Sequence, residues 1–456
     1  MNLQTIILAA GQGTRMRSAL PKVLHRIGSL SLLEHVHRLA AGFAGNDINI
    51  VYGHGGERLR NDLADLKATW TEQSEQLGTG HAVLQVADWI RGDATVLILY
   101  GDVPLLTAAT VQGLLRRVSE TSLALLTVEL EQPDGYGRIL RDGEGRAVAI
   151  VEEKDADAAQ RAIAEVNTGI MALRGDRLQQ WLGRLDNRNA QNEYYLTDII
   201  AMAVADGVRV ETARPAAATE VLGVNTRAQL ALLERAYQLR QAQYLMEHGV
   251  TLRDPSRFDL RGTIVDCGHD VEIDVNVVLE GSIRLGNDVR IGPNVYLRDC
   301  EIGDGTEILA NCFIEESVVG ADVRVGPFAR LRPHSKLADQ VRIGNFVEVK
   351  KSTVGKGSKI NHLSYVGDSL VGGGVNVGAG TITCNYDGAN KHLTEIGDGA
   401  FIGSNTQLVA PVKVGKNATI GAGSVITKDA PEGTLTLSRA QQVSVPGWTR
   451  PVKKPR

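Results

Sequence analysis

From Leu285 onward an aliphatic residue returns at nearly every sixth position. The series runs Leu285, Ile291, Leu297, Ile302, Ile308, Ile314, Val319, Val325, Leu331, Leu337, Ile343, Val349, Val354, Ile360, Val366, Val371 and Val377. It resumes at Ile396, Ile402, Leu408, Val414, Ile420 and Ile426. A period of six suits neither the 3.6-residue turn of a helix nor the two-residue alternation of an isolated strand. It suits one side of a triangular β-helix, with three sides to a coil and one aliphatic side chain turned inward from each. Glycine often follows the aliphatic residue, as in Ile291-Gly292, Ile343-Gly344 and Ile402-Gly403, and is expected near each corner. The stretch Thr383–Glu395 breaks the period and is expected to protrude as a loop. The repeat also explains the composition. Of 456 residues, 50 are glycine and only 4% aromatic, and 27 of the glycines fall within residues 251–456.

The first half has a different grammar. Short β-branched runs at Thr5–Ala9, Ile48–Tyr52 and Ala94–Tyr100 alternate with helical patterns at Leu32–Leu39 and Thr107–Val118. Strand and helix in alternation predict right-handed crossovers, a mostly parallel sheet, and ligands at the carboxyl ends of the strands. The first such end reads Ala9-Ala10-Gly11-Gln12-Gly13-Thr14-Arg15-Met16, followed by Pro21-Lys22. Two glycines let the backbone approach a ligand closely, and Arg15 and Lys22 supply charge for phosphate oxygens. The pattern is neither a Rossmann GxGxxG nor a Walker A loop, and a Gly pair after a strand is commonly a simple turn. The next end is Tyr100-Gly101-Asp102. An Asp there caps the following helix or binds a metal; Pro104 and Thr107 already offer a helix start, which leaves Asp102 for magnesium.

A formal net charge of −4, from 49 basic and 53 acidic residues, gives no footprint for nucleic acid or an anionic membrane. No apolar run reaches the length of a membrane span, and the first residues lack the charged and small-residue pattern of a leader. Cys267, Cys300, Cys312 and Cys384 show no CxxC pairing, so the expectation is a cytoplasmic protein with reduced thiols. Gln229–His248 is a long Ala/Leu/Gln-rich helical pattern closed by Gly249. The expected division is residues 1–226, a connecting helix at 227–248, and residues 249–456.

The two halves together carry a resemblance. Leu8–Met16 with Pro21-Lys22-Val23-Leu24-His25, Gln76–His81, Tyr100-Gly101-Asp102, Glu193–Asp198, Gly223-Val224-Asn225, Asn385–Asn390, Thr406–Pro411 and the six-residue array span almost the whole chain. They resemble the bacterial bifunctional N-acetylglucosamine-1-phosphate uridylyltransferase and glucosamine-1-phosphate N-acetyltransferase. The resemblance implies a Rossmann-like α/β nucleotidyltransferase domain with a mixed, mostly parallel sheet. A left-handed parallel β-helix of hexapeptide repeats follows it.

For the first half the resemblance implies uridylyl transfer from UTP to N-acetylglucosamine 1-phosphate, releasing pyrophosphate. A phosphate anion attacking an anionic α-phosphorus needs neutralisation and alignment more than a protein nucleophile, a task for Arg15 and Lys22. By the resemblance Leu8, Ala9, Ala10, Gly11 and Lys22 meet the nucleotide, with Gln73, Gly78 and Thr79 around the uracil. Tyr100 and Gly101 stand beside Asp102, and Asp102 with Asn225 holds Mg²⁺. Gly137, Glu152, Asn167 and Asn225 read the sugar. Glu152 sits in a charged stretch and on its own reads as a solvated surface carboxylate.

For the second half it implies transfer of acetyl from acetyl-CoA to the amine of glucosamine 1-phosphate. A neutral amine is the nucleophile, and a base titrating near neutrality serves it; His362 is the expected base. A lone histidine is more often structural. Arg332 and Lys350 lie three six-residue sides apart, hence on one wall, and His362 two sides further on; two such cations suit a sugar phosphate. Read alone, they are solvated corner residues. The resemblance adds Tyr365, Asn376 and Lys391 for glucosamine 1-phosphate, and Ala379, Asn385, Tyr386, Ser404, Ala422 and Arg439 for acetyl-CoA. It also implies a homotrimer whose sites form where β-helices meet. Departures from the family pattern are Gln12 for a frequent Lys, Thr226 for a frequent Asn or Asp, and His334 for a common Gly. The rival readings are a nucleotidyltransferase whose β-helix serves oligomerisation or regulation alone, and a non-catalytic subunit that should have lost Arg15, Lys22 or Asp102.

Overall fold

The computed structural model describes residues 2–11, 13–53 and 56–453; Gln12 and the last three residues of the basic tail lie outside them. The chain divides into two compact units, Met1–Tyr237 and Gln238–Arg456.

In the first unit all seven residues of strand Leu3–Ala9 are buried. Alternate side chains enter different cores: Ile6 and Leu8 face one, Leu3, Ile7 and Ala9 the other. Burial on both faces is what a continuous apolar run dictates, and it places the strand inside a sheet covered by helices. Leu3–Ala9 pairs in parallel with Ile48–Gly53 on one side and Thr95–Tyr100 on the other. Thr69–Gln73 extends the parallel side. Beyond Thr95–Tyr100, strand Glu165–Arg174 runs antiparallel, followed by Ser122–Glu129 and the edge strand Arg209–Ala213. Helix Leu32–Ala44 begins on a capping box of Ser31 with Glu34 and presses Leu33, Val36 and Ala40 onto one face. Helices Gly175–Leu182 and Asp198–Ala205 cover the other through Leu178, Trp181, Ile199 and Ile200. Because Leu8 pairs with Tyr100, the two strand ends singled out in the sequence emerge side by side. Thr107 caps helix Ala108–Leu115, accepting from the Thr110 N–H, so that helix does not draw on Asp102 for its cap.

Helix Arg227–Glu247 contributes Leu230, Leu233 and Tyr237 to a cluster in the first unit, and Ala242 and Leu245 to the core of the second.

The second unit is a stack of parallel coils. All 23 aliphatic residues of the six-residue series are buried, none more than 4% exposed. Each such side chain removed from water contributes about 1.5–3 kcal/mol. Register confirms three sides per coil. Ile291, Ile308, Val325, Ile343, Ile360 and Val377 stack on one wall, at steps of 17 or 18 residues. Leu297, Ile314, Leu331, Val349 and Val366 stack on the second, and Ile302, Val319, Leu337, Val354 and Val371 on the third.

Three details differ from the sequence expectation. The coils begin before Leu285: Thr251-Leu252 pairs with Glu272-Ile273, and Phe258 with Val277, at longer steps that hide the period. After Val377 the wall position is filled by Thr383, 1% exposed and paired with Leu408, so only residues 385–393 leave the coil. The glycine after each aliphatic residue is not generally the corner. Many corners take left-handed backbone at other residues, including Asn294, Asn311, Asp322 and Asn417. Gly344 and Gly403 serve a different need: a Cβ at Gly344 would lie 1.9 Å from the Asn361 carbonyl oxygen, and at Gly403 2.4 Å from the Ala422 nitrogen. They let successive coils approach. Gly344→Ala is therefore expected to destabilise the second unit by about 1–3 kcal/mol, read as a lower denaturation midpoint. An unchanged midpoint would mean the coils can separate at no cost.

One corner column is unusual. Phe328, Phe346 and Leu363 occupy left-handed backbone on three successive coils, and the two phenylalanine rings stack with centroids 5.3 Å apart. They are 50%, 56% and 63% exposed. Bulky side chains rarely adopt this conformation, so the ridge is a constrained feature.

Candidate active sites

In the first unit the loop after Leu3–Ala9 folds back onto Lys22. Gly13 has φ of +64°, and a Cβ there would stand 2.6 Å from the Cβ of Lys22, so only glycine permits the approach. The short turn Thr14–Met16 is anchored by Met16, 1% exposed, which leaves Arg15 outside the core. Lys22 forms an ion pair with Asp102 and donates to Asn225 Oδ1 at 3.1 Å; Arg15 donates to the same oxygen at 3.1 Å. Val224 N–H donates to the Asp102 carbonyl at 2.9 Å, which fixes Asn225 beside Asp102. Segments some 200 residues apart thus meet in one charged cluster.

A cleft of about 350 Å³ opens here. Leu8, Ala9, Ala10, Gly11, Lys22, Gln73, Gly78, Thr79, Tyr100 and Asp102 line it, as the resemblance implied. Gly101 N–H donates to the Leu8 carbonyl at 2.9 Å, tying the two strand ends together. Gln73 donates to the Gly78 carbonyl at 3.1 Å, and the Thr79 hydroxyl accepts from Leu196 N–H at 3.2 Å. Gln76, Val23, Ala82 and Glu193 also line the cleft and were not singled out from the sequence. Gln76 and Glu193 lie inside quoted motifs; Gln76 donates to the Ala10 carbonyl at 2.6 Å, a contact no local pattern encodes.

The remaining predicted residues form a second group next to Tyr100. A Cβ on Gly137 would sit 3.5 Å from both Glu152 carboxylate oxygens, Asn167 N–H donates to the Gly137 carbonyl at 2.8 Å, and Asn167 Oδ1 accepts from Gly169 N–H at 2.9 Å. Glu152 is no freely solvated carboxylate. Burial pushes its pKa up, a hydrogen bond from Thr197 at 2.8 Å opposes that, and Asp198 adds to it. Burial also pushes up the Tyr100 hydroxyl, with Glu152 and Asp102 as further causes.

In the second unit Arg332 and Lys350 occupy adjacent coils, Arg332 N–H donating to the Val349 carbonyl at 2.8 Å. Arg332 pairs with Glu348 at 2.9 Å. The 385–393 excursion brings Lys391 to Lys350: contact with that ammonium, then burial, then the Arg332 charge hold the Lys350 pKa below the ordinary lysine value. Three cations without a paired anion between them form a site for a phosphate. His362 closes strand Lys359–His362 on the neighbouring wall, opposite Asn345, and its Nδ1 lies 3.0 Å from Asn345 Oδ1. His362 and Lys350 therefore belong to different walls; Tyr365 starts the next strand on the Lys350 wall, paired with Glu348. Asn376 follows on the His362 wall, paired with Lys359.

The residues implied for acetyl-CoA fall on later coils. The Ala379 carbonyl accepts from Asn405 N–H at 2.7 Å, next to Ser404. Ala422 packs against Gly403, and the Arg439 side chain reaches within 3.8 Å of where Cβ atoms on Gly421 and Gly423 would stand. Asn385 is buried at the base of the excursion, whereas Tyr386 is 61% exposed.

A nucleotide-sized cleft on a mixed α/β sheet and a cationic site on a triangular parallel solenoid define a two-unit transferase. Models of known families agree. Residues 5–186 match the MobA-like NTP transferase domain, residues 263–354 the GMPPB C-terminal domain, and residues 393–428 the bacterial transferase hexapeptide (six repeats). The chain is 66% identical over 453 residues to the bifunctional protein GlmU of Methylococcus capsulatus, covering 99% of this chain and 98% of that one. It is 57% identical to the GlmU proteins of Aromatoleum aromaticum, over 99% of both chains, and of Stutzerimonas stutzeri, over 100% of both. The chain belongs to the bifunctional GlmU family. It is a bifunctional transferase of UDP-N-acetylglucosamine synthesis, a nucleotidyltransferase and an N-acetyltransferase in one chain, and its second unit is a left-handed β-helix.

Proposed function

We propose that residues 1–226 carry uridylyl transfer, residues 249–456 carry acetyl transfer, and the helix between them joins the two. The observation that carries the assignment is the convergence of charge at two separate places: Arg15, Lys22, Asp102 and Asn225 in the first unit, Arg332, Lys350 and Lys391 in the second.

In the first unit the cleft takes UTP, with the Gly11–Gly13 loop and Lys22 along the triphosphate and Gln73, Gly78 and Thr79 around the base. The Gly137, Glu152 and Asn167 group takes the sugar of N-acetylglucosamine 1-phosphate. The Asp102 carboxylate and the Asn225 amide oxygen both reach one ammonium, that of Lys22, so they converge closely enough to share a small cation. Two hard oxygens with room for phosphates and water suit Mg²⁺. Bound there, Mg²⁺ would neutralise charge on the phosphates. Arg15 and Lys22 orient the α-phosphate so that the sugar-phosphate oxygen attacks in line and pyrophosphate leaves.

In the second unit the cation cluster holds the phosphate of glucosamine 1-phosphate and His362 accepts the proton of its amine. The bond to Asn345 Oδ1, an acceptor, places the ring hydrogen on Nδ1 and leaves the Nε2 lone pair free. The amine nitrogen attacks the thioester carbonyl, its proton passes to Nε2, and the C–S bond breaks to release the CoA thiolate, which takes up a proton. A homotrimer is supported by the exposed ridge of Phe328, Phe346 and Leu363 beside His362, an apolar surface that a second copy would cover. Among the described residues no helix is long and apolar enough to cross a membrane. With reduced thiols and a charge near neutral, the reading is a cytoplasmic enzyme that does not bind nucleic acid.

The test supplies glucosamine 1-phosphate, acetyl-CoA, UTP and Mg²⁺ to the purified chain and follows UDP-N-acetylglucosamine. Formation of the nucleotide sugar is expected, dependent on all four. Replacing the first two with N-acetylglucosamine 1-phosphate isolates the first unit; product that still forms without a divalent cation would overturn the metal assignment.

A further inference from the structure

Asp368 follows Lys350 by one coil and stands at a corner in left-handed backbone, φ +46°. Its N–H donates to the Lys350 carbonyl at 3.0 Å, and its own carbonyl accepts from Thr394 N–H at 3.2 Å, where the excursion rejoins the solenoid. Its carboxylate accepts from the Asn385 amide at 2.6 Å, where the excursion departs, and lies 3.7 Å from the Lys351 ammonium. The side chain is only 9% exposed, and Asn385 6%. A buried carboxylate is costly unless paired, and a buried amide donor needs an acceptor. Here each satisfies the other, within the field of Lys350, Lys351, Arg332 and Lys391.

We propose that Asp368 is a positioning residue of the acetyl-transfer site. It fastens both ends of the 385–393 excursion to the coil that carries Lys350, and so sets where Asn385 and Lys391 stand. No bond in this fastening reaches the reacting atoms, and His362 is held independently by Asn345 on the preceding coil. The role therefore shows in substrate binding rather than in the chemical step. The proposal rests on the reading of the second unit as the acetyltransferase.

The test measures acetyl-transfer kcat and KM in the full-length chain for wild type, Asp368→Ala and Asp368→Asn, with uridylyl transfer by the same molecules as reference. Asp368→Ala is expected to raise KM for both glucosamine 1-phosphate and acetyl-CoA about tenfold, the loss of a charge-assisted hydrogen bond, with kcat changed less and uridylyl transfer unchanged. Asp368→Asn keeps an amide oxygen that accepts from Asn385 and is expected to recover most of both KM values. Unchanged KM in Asp368→Ala, or no recovery in Asp368→Asn, would overturn the proposal. Should Asp368→Ala fail to fold, Asp368→Glu decides. It keeps the charge but displaces the acceptor and must raise both KM values; wild-type KM in that variant sinks the idea. A wild-type chain that acetylates no glucosamine 1-phosphate would instead overturn the reading on which it rests.

Discussion

His362→Ala is expected to abolish acetyl transfer, a loss of about 10²–10⁴-fold, the usual contribution of a positioned general base, while uridylyl transfer persists. The imidazole closes a strand on one wall, its Nδ1 satisfied by Asn345, and the other nitrogen has no such bond. Without it the attacking amine has no positioned acceptor for its proton. The assay is release of the CoA thiol with glucosamine 1-phosphate as acceptor. Acetylation retained within a few-fold would remove His362 as the base, and loss of both activities would point to the fold instead.

Asp102→Ala should do the converse, reducing uridylyl transfer by about 10²–10³-fold, the scale of losing one preorganised electrostatic group, and leaving acetyl transfer intact. Asp102 holds the Lys22 ammonium and, through its backbone carbonyl, the Val224-Asn225 segment. Its removal therefore deletes a cation ligand and frees the lysine that orients the triphosphate. Pyrophosphate release from UTP and N-acetylglucosamine 1-phosphate, titrated with Mg²⁺, reads both effects. An unaltered Mg²⁺ dependence would show that the metal is held elsewhere.

Periodicity carried the solenoid because its rule is simple: an aliphatic residue every sixth position, each one now found inward and buried. The rule failed where another residue met the same need. Thr383 sits inward with its hydroxyl accepting from the Gly367 N–H, so a polar residue occupies an apolar slot. The early coils from Thr251 escaped because their steps are longer. In the first unit the motifs placed Lys22 and Asp102 near one another because strands deliver their carboxyl ends to one edge. The hydrogen bonds of Gln76 to Ala10 and of Asp368 to Asn385 join segments distant in sequence or separated by a full coil. Only the folded chain brings such partners together, and no spacing rule foretells which donor a carbonyl or carboxylate will receive.

The fixed rise of 17 or 18 residues from coil to coil makes the second unit a graduated scale. Arg332 aligns with Lys350, and Asn345 with His362, by their rung number rather than by nearness along the chain. A residue gained or lost inside any rung would shift the facing of everything after it by one pleat, and the acetyl-transfer groups would no longer share an edge. Residues 385–393 escape that rule. They leave after Cys384 and return at Thr394 with the inward pairing of Val377 and Ile402 intact. This is where the chain can alter its length, and hence its choice of acceptor or acyl donor, without losing count.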